Sequence, residues 1–153
     1  RMICDREGNV PFVSNISYDN GIKGYSKLQP LNSGNVITIS DTTDDNSVFY
    51  QEQPFIGFSH VQILTPKEGK FGKFNKNVAQ YIVSAIRNSK KGMFDYATKY
   101  NSDNIKRTII SLPVDNSGLP DCIKIEEIIK KRTLYKLLLL SKEINQKIEA
   151  LSE

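Results

Sequence analysis

The 153-residue sequence contains no tryptophan, one histidine and two cysteines, which narrows the chemistry open to it. Cys4 and Cys122 are far apart and form no CxxC motif, so we expect free thiols in a reducing compartment. His60 has no neighbouring cysteine motif and no GxSxG sequence, which disfavours both a zinc site and a Ser-His-Asp triad. We therefore expect His60 to make local hydrogen bonds in a strand or loop.

Motifs for nucleotide, calcium and membrane binding are also missing. The sequence has neither a GxxxxGK[ST] loop nor a GxGxxG fingerprint. Asp41, Asp44 and Asp45 lack the glycine and distal glutamate of an EF-hand, so we predict a solvated turn there. No apolar run approaches the ~20 residues of a membrane span, and no secretory signal is present. The sequence thus predicts a cytoplasmic binding protein that has no catalytic residues, no metal and no cofactor of its own.

The positive charge is concentrated in the middle of the chain, although the net charge is only +4. Residues 67–107 hold ten basic and three acidic residues, whereas residues 1–66 hold four basic and seven acidic ones. The remaining residues carry seven of each sign. A focused basic region is typical of proteins that bind the phosphate backbone of nucleic acid. A lysine-rich solvated face is an equally good interpretation of the charge alone.

The hydrophobic pattern predicts an α+β protein, with short strands and turns followed by a long C-terminal helix. The polar segment 41–47 is predicted as a loop, the Asp19-Asn20-Gly21 and 115–118 segments as turns, and Asn75 or Asn77 as a helix cap. The predicted strands are 10–13, 35–39, 48–50, 55–64 and 108–112, and the first predicted helix is 75–87.

The C-terminal segment 125–151 has the pattern of a coiled-coil helix. It contains no glycine or proline, and one stripe of side chains repeats at alternating spacings of three and four. The stripe would either pack on its own domain or pair with a partner helix. We expect pairing, because the pattern continues well past the domain-like region. The predicted pairing residues are Leu134, Leu137, Ser141, Ile144, Ile148 and Leu151.

The order of several short motifs resembles the target recognition domain of type I restriction-modification specificity subunits and of the related type IIG and IIB systems. Gly8-Asn9-Val10-Pro11-Phe12-Val13-Ser14 is similar to the family's G-x-(I/V)-P-F-(I/V)-(S/T) strand, and Asn20-Gly21-Ile22-Lys23-Gly24-Tyr25 to its NNGVxGY turn. Ile109-Ile110-Ser111-Leu112-Pro113-Val114-Asp115 with Gly118-Leu119-Pro120-Asp121 is similar to the I-x-LPVDxxGxPD stretch before its long helix.

Three further segments extend the resemblance over nearly the whole chain. They are Asn35-Val36-Ile37-Thr38-Ile39, then Val48-Phe49-Tyr50-Gln51 with Pro54-Phe55, then Phe94-Asp95-Tyr96-Ala97-Thr98-Lys99-Tyr100. The sequence departs from the family pattern at Phe58-Ser59-His60, where acidic residues are common, and at Ala97, where glycine is common. The family's opening strand is missing before Arg1, so we expect the chain to be half of such a subunit or the tail of a larger protein.

The resemblance implies a DNA recognition domain over residues 1–120 and a spacer or dimerisation helix over residues 121–153. It implies that the domain presents loops to the major groove of double-stranded DNA and that the helix pairs within a homodimer or within one chain. Partner modification (methyltransferase) subunits would bind S-adenosylmethionine, and a restriction subunit would complete the complex. The alternatives are the recognition domain of a bifunctional type IIG restriction-methyltransferase, or a protein-interaction module with a pairing helix.

The residues expected to contact DNA follow from this function and from side-chain chemistry. Asparagine pairs with adenine, and lysine pairs with guanine or holds phosphates. The predicted base contacts are Asn15, Asn20, Lys23, Thr42, Thr43 and Asn46. The predicted phosphate contacts are Lys70, Lys73, Lys90, Lys91 and Lys99, and Tyr100 is a predicted stacking residue.

Overall fold

The computed structural model of the chain describes residues 4, 7–41, 47–91 and 100–151. Within these ranges the chain forms two small sheets, three α-helices and a single 3-10 turn at Asp19–Gly21, which confirms the predicted α+β class. The strands are β1 (Val10–Val13), β2 (Ile22–Ser26), β3 (Val36–Ser40), β4 (Val48–Gln51), β5 (Ile56–Gly57) and β6 (Val61–Leu64); the helices are α1 (Lys76–Lys90), α2 (Ser102–Arg107) and α3 (Cys122–Ala150).

The two sheets have different connectivity. In the first sheet β1 lies between β2, which is antiparallel to it, and β5, which is parallel. The register of β1 with β2 shifts between Phe12 and Val13, so that Lys23 is the extra residue of a β-bulge. In the second sheet β3 lies between β4 and β6, and both pairs are antiparallel.

Strand β3 is buried along its whole length because both of its faces are covered. Ile37 and Ile39 belong to the main core, which also includes α1 and the start of α3. Val36 packs in a second cluster with Val13 and Phe55 of the first sheet region. The alternating β-branched pattern correctly predicted this strand, and short apolar or aromatic runs correctly predicted β1 and β4.

Helix α1 forms as the sequence predicts and covers the second sheet. The side chain of Asn75 caps it by accepting hydrogen bonds from the backbone N–H groups of Asn77 and Val78, at 3.0 and 3.2 Å. Its buried side chains recur at helical spacing and face β4 and α3. They include Val78, Ala79, Ile82, Val83 and Ile86.

Helix α3 begins inside the core and ends outside it. The Asp121 carboxylate caps it by accepting from the Lys124 N–H at 2.9 Å. Cys122, Ile125 and Ile129 are buried where α3 packs against α1. Every described residue from 130 to 151 is exposed.

The structure corrects two sequence predictions and adds two elements. Residues 108–112 form no strand among the described residues: Ile110 and Leu112 pack on the core while Ile109 is 88% exposed, so the alternation reflects one-sided packing. The predicted strand 55–64 is divided at residues 58–60 into β5 and β6, which belong to different sheets. Strand β2 and helix α2 were not predicted.

Candidate nucleic-acid interface

Three loops meet where the chain passes between the two sheets. The backbone N–H of Phe58 donates to the Val13 carbonyl at 2.8 Å, and that of Ser14 donates to the Gly21 carbonyl at 2.8 Å. The N–H of Asp41 donates to the His60 carbonyl at 3.1 Å. We call this surface the loop end and define it as residues 14–21, 40–41, 47 and 58–60.

The topology explains why these loops come together. Because β1 and β5 are parallel, the chain leaves both strands in the same direction. The segment 58–60 then crosses from β5 to β6, and the pairing of Val61 with Ser40 places it beside the end of β3. The chain therefore has to pass from one sheet to the other at the loop end, and backbone hydrogen bonds attach the crossing segment to both sheets.

A cluster of aromatic and polar side chains stands on the loop end. The two carboxylate oxygens of Asp41 contact His60 Nδ1 at 3.2 Å and the Gln62 amide nitrogen at 3.1 Å. Phe58 is 42% exposed, and its ring centre lies 6.2 Å from that of Phe12 and 6.0 Å from that of His60. A carboxylate on Nδ1 favours the tautomer with the proton there, which leaves Nε2 as a hydrogen-bond acceptor.

The predicted base contacts that the structure describes occupy different environments. Asn15 lies in the loop end, half-buried, and its side-chain oxygen accepts from the Ser14 hydroxyl at 3.1 Å. The Asn20 amide donates to the Tyr50 carbonyl at 2.9 Å, so its side chain is held against β4. Lys23 is exposed at the bulge of β2. Thr42, Thr43, Asn46 and Lys99 lie outside the described residues.

The predicted phosphate contacts lie at both ends of α1. Lys70 and Lys73 are exposed in the loop before the helix, and Lys91 is exposed directly after it. At 1.5 Å per residue, these two basic regions are roughly 22 Å apart. The Arg87 guanidinium donates to the Val48 carbonyl at 2.7 Å, which places the C-terminal end of α1, and Lys91 with it, beside the loop end.

Two of the predicted contacts are core residues in this structure. Lys90 is 1% exposed, and its ammonium lies 4.6 Å from the ring centre of Tyr100, a cation–π distance. Tyr100 is 2% exposed and its hydroxyl bonds to Thr108. Burial raises the pKa of the Tyr100 hydroxyl. Neither side chain reaches the surface here, so neither enters the interface proposed below.

A basic groove of about 750 Å³ runs between β4, α1 and α3. Its cations are Lys76, Arg87, Arg132 and Lys136, and its single acidic residue is Glu52. The groove was not predicted from the sequence, because its cations come from two helices, α1 and α3, that are far apart in the chain. The available signal was the i, i+4 spacing of Arg132 and Lys136, which puts both on one face of α3.

The family-model comparison matches residues 5–150 to the type I restriction modification DNA specificity domain. The chain belongs to this family. No curated protein and no solved structure matches the chain. The match covers the loop end, the basic groove and the whole of α3, and it gives the chain a role in the DNA specificity of a restriction-modification system.

The described residues offer neither a membrane-spanning helix nor a metal site. No described helix is long and apolar enough to cross a bilayer, in spite of the four consecutive leucines of α3. In the same part of the chain, no group of three or more histidine, cysteine, aspartate or glutamate side chains is arranged to hold a metal ion. The chemistry visible on the loop end and in the groove is hydrogen bonding and charge.

Proposed function

We propose that the chain recognises a specific double-stranded DNA sequence through the loop end, as half of a specificity subunit or as part of a longer one. The observation that carries this proposal is the convergence of three separately encoded loops on one surface in a chain of the DNA specificity family. Loops supported by a rigid sheet framework are where binding residues concentrate. Variation of these loops would change the recognised sequence without changing the fold.

The side chains of the loop end suit contact with base edges. The Asn15 amide can bond to the N6 and N7 atoms of adenine, and His60 Nε2 can accept from the amino group of adenine or cytosine. The exposed ring of Phe58 can pack on a thymine methyl group. Each good contact of this kind discriminates between bases by roughly 1–3 kcal/mol. Asp41 would act by orienting His60.

The exposed lysines would contribute affinity without sequence preference. Lys91 lies beside the loop end and suits a phosphate next to the contacted bases. Lys70 and Lys73, at the other end of α1, suit phosphates further along the duplex. Each such contact releases a condensed counterion, so binding should weaken steeply with salt.

The exposed end of α3 would pair with a second helix, in a homodimer or within a longer chain. Leu134, Leu137 and Ile144 are 59%, 58% and 55% exposed, and Ile148 and Leu151 continue the same stripe. A stripe of large apolar side chains this extensive is a typical partner surface. Modification subunits would dock on the resulting assembly and supply the S-adenosylmethionine chemistry, in the cytoplasm with the DNA, while this chain itself would catalyse no reaction.

Selection from a randomised duplex library tests the proposal, with the purified chain at two salt concentrations and sequencing of the recovered duplexes. The expected result is an enriched motif whose affinity falls as salt rises. Asn15→Ala and His60→Ala should each relax the preference at a subset of positions, whereas Asn116→Ala, in an exposed turn after the core, should not. Salt-sensitive binding without any motif would contradict sequence recognition, and no binding at low salt would favour a protein-interaction module.

A further inference from the structure

The basic groove lies where α3 leaves the core. Successive residues on the domain-facing side of this helix change from apolar to basic along its length. Ile125 and Ile129 are buried in the core, and Arg132, Thr133 and Lys136 line the groove immediately after them. With 3.6 residues per turn, these five positions fall on one side of the helix. The helix therefore continues to face the domain after it has left the core, with cations in place of core side chains.

The groove carries a strong excess of positive charge. Lys76 and Glu52 form an ion pair at 2.9 Å, which largely neutralises both. Arg87 is half-buried, with its guanidinium held by the Val48 carbonyl and 5.2 Å above the Phe49 ring. Arg132 and Lys136 are exposed, and neither makes an ion pair within the described residues. Three cations thus face the groove, one of them fixed in position by its own contacts.

The buried part of the remaining lining is apolar, and its exposed part is mostly polar, with Tyr25, 47% exposed, as the aromatic exception. Val48, Val83 and Ile129, at its base, are at most 8% exposed. The exposed lining residues are amides and hydroxyls, among them Gln53, Gln80, Ser84 and Thr133. Such a surface gives the apolar stripe of a partner helix little to bury, but it provides donors for the oxygen atoms of a phosphate chain.

The groove is also continuous with the loop end. Asn20 belongs to the 14–21 loop and lines the groove as well. The Val48 carbonyl that holds Arg87 comes directly after Ser47 of the loop end. A duplex seated on the loop end therefore has its flanking backbone close to the mouth of the groove.

We propose that the basic groove binds the phosphate backbone of the duplex flanking the recognised bases, with Arg132 and Lys136 of the helix as direct phosphate contacts. This proposal rests on the proposed function. It makes α3 a bifunctional element: its domain-facing side holds DNA and its apolar stripe holds a partner helix. The stripe and the groove residues are about a quarter turn apart on the helix, so both sides can be occupied at once.

The test compares two double substitutions that remove the same charge from α3. R132Q/K136Q removes the two α3 cations of the groove, and K131Q/K142Q removes two exposed lysines from a third side of the helix, which carries neither the groove residues nor the stripe. Glutamine keeps a good helix propensity, so both variants should fold, and circular dichroism checks this. Each variant is titrated with a fluorescent duplex that carries the selected motif and with a scrambled duplex. The salt concentration is varied about sixfold, from roughly 50 to roughly 300 mM.

The groove proposal predicts that R132Q/K136Q lowers the slope of log affinity against log salt by about 2, one unit for each lost phosphate contact. Affinity should fall by roughly 10- to 100-fold near 0.1 M salt on both duplexes, with the preferred motif unchanged. K131Q/K142Q should change the slope by much less.

Equal slopes for the two variants would overturn the groove proposal while leaving sequence recognition intact. Unchanged DNA binding by R132Q/K136Q, with loss of binding to a modification subunit, would instead identify an acidic protein surface as the occupant. If the unsubstituted chain binds no duplex at all, the proposed function fails, and the groove proposal fails with it.

Discussion

The first two turns of α3 and the rest of the same helix differ in what surrounds their apolar side chains. Ile125 is 0% exposed in the core, whereas Ile144 is 55% exposed on the free part of the helix. Both residues lie in an uninterrupted helical segment without glycine or proline. The difference shows that one continuous helix lies in two environments, since its start completes the core and the apolar stripe on its remainder is exposed. An isolated helix rarely gains its stability from propensity alone, so the free part is expected to be stabilised by a partner.

The largest expected difference concerns folding stability. Ile125→Ala should lower the free energy of unfolding by about 2–5 kcal/mol, because it leaves a cavity in a packed core. Ile144→Ala, the same substitution at an exposed site, should change it by only about 0.5 kcal/mol or less when the chain is monomeric. Urea unfolding of dilute protein measures both values. Similar losses for the two variants would mean that the free part of α3 is folded onto the domain.

Self-association, unlike folding stability, should depend on the exposed stripe of α3 and not on its buried start. Replacing Leu137 and Ile144 with aspartate puts charge into the pairing stripe and should weaken the dimer by 100-fold or more, equivalent to about 3 kcal/mol from two buried side chains. The control is L139D/K142D, which changes the other side of the helix. Sedimentation of the three proteins gives their oligomeric states. An oligomer that survives L137D/I144D would remove the paired-helix interpretation.

A smaller difference between the two parts of α3 is expected from a substitution at its N-terminal cap. Asp121→Ala removes the acceptor for the Lys124 N–H and should lower the stability of the domain by about 1 kcal/mol. Asp103→Ala, in the first turn of α2 but not at its cap, is the matched control. Thermal unfolding measures the loss. Because the stripe begins more than three turns away, self-association should be unaffected, and a changed dimer would show that the two parts are coupled.

The smallest expected effect is the pH dependence of the contact between α1 and α3. Glu126 accepts a hydrogen bond from the Asn75 amide at 2.6 Å and lies 3.4 Å from Lys130, and these contacts hold its pKa below the ordinary value. A lowered pKa stabilises the fold above the ordinary pKa, and this contribution is lost as pH falls through the folded value. The stability difference between the unsubstituted chain and Glu126→Gln should therefore be present at neutral pH and shrink below about pH 4. A difference independent of pH would contradict it.

Regular periodicity explains which elements the sequence could predict. The helices α1 and α3 have long stripes at helical spacing, and β3 and β4 have β-branched or aromatic runs. Strand β2 was missed because Lys23 forms a bulge and Gly24 interrupts the apolar alternation. That glycine lies against Cys4, since an added Cβ would come within 3.0 Å of its sulfur. Alternation in residues 108–112 was equally misleading, because a segment packed on one side has the same pattern as a strand.

The candidate site was less predictable than the fold, because a count of charged residues does not say which of their side chains face the solvent. Lys90 was predicted to bind phosphate, yet it lies four and eight residues after Ile86 and Ile82 on the buried side of α1. Its helical position was the signal that could have placed it in the core. The basic groove and the cluster of Asp41, Phe58 and His60 depend on contacts between distant segments, which periodicity in one segment does not contain.

The most direct test of sequence recognition by a paired module is to compare the DNA motifs selected by the unsubstituted chain and by L137D/I144D. A two-part motif with two related half-sites is expected for the unsubstituted chain, because each copy presents one loop end. A single half-site, bound more weakly, is expected for the variant. The absence of an enriched motif with either protein would contradict DNA sequence recognition, and an unchanged two-part motif with the variant would contradict pairing through α3.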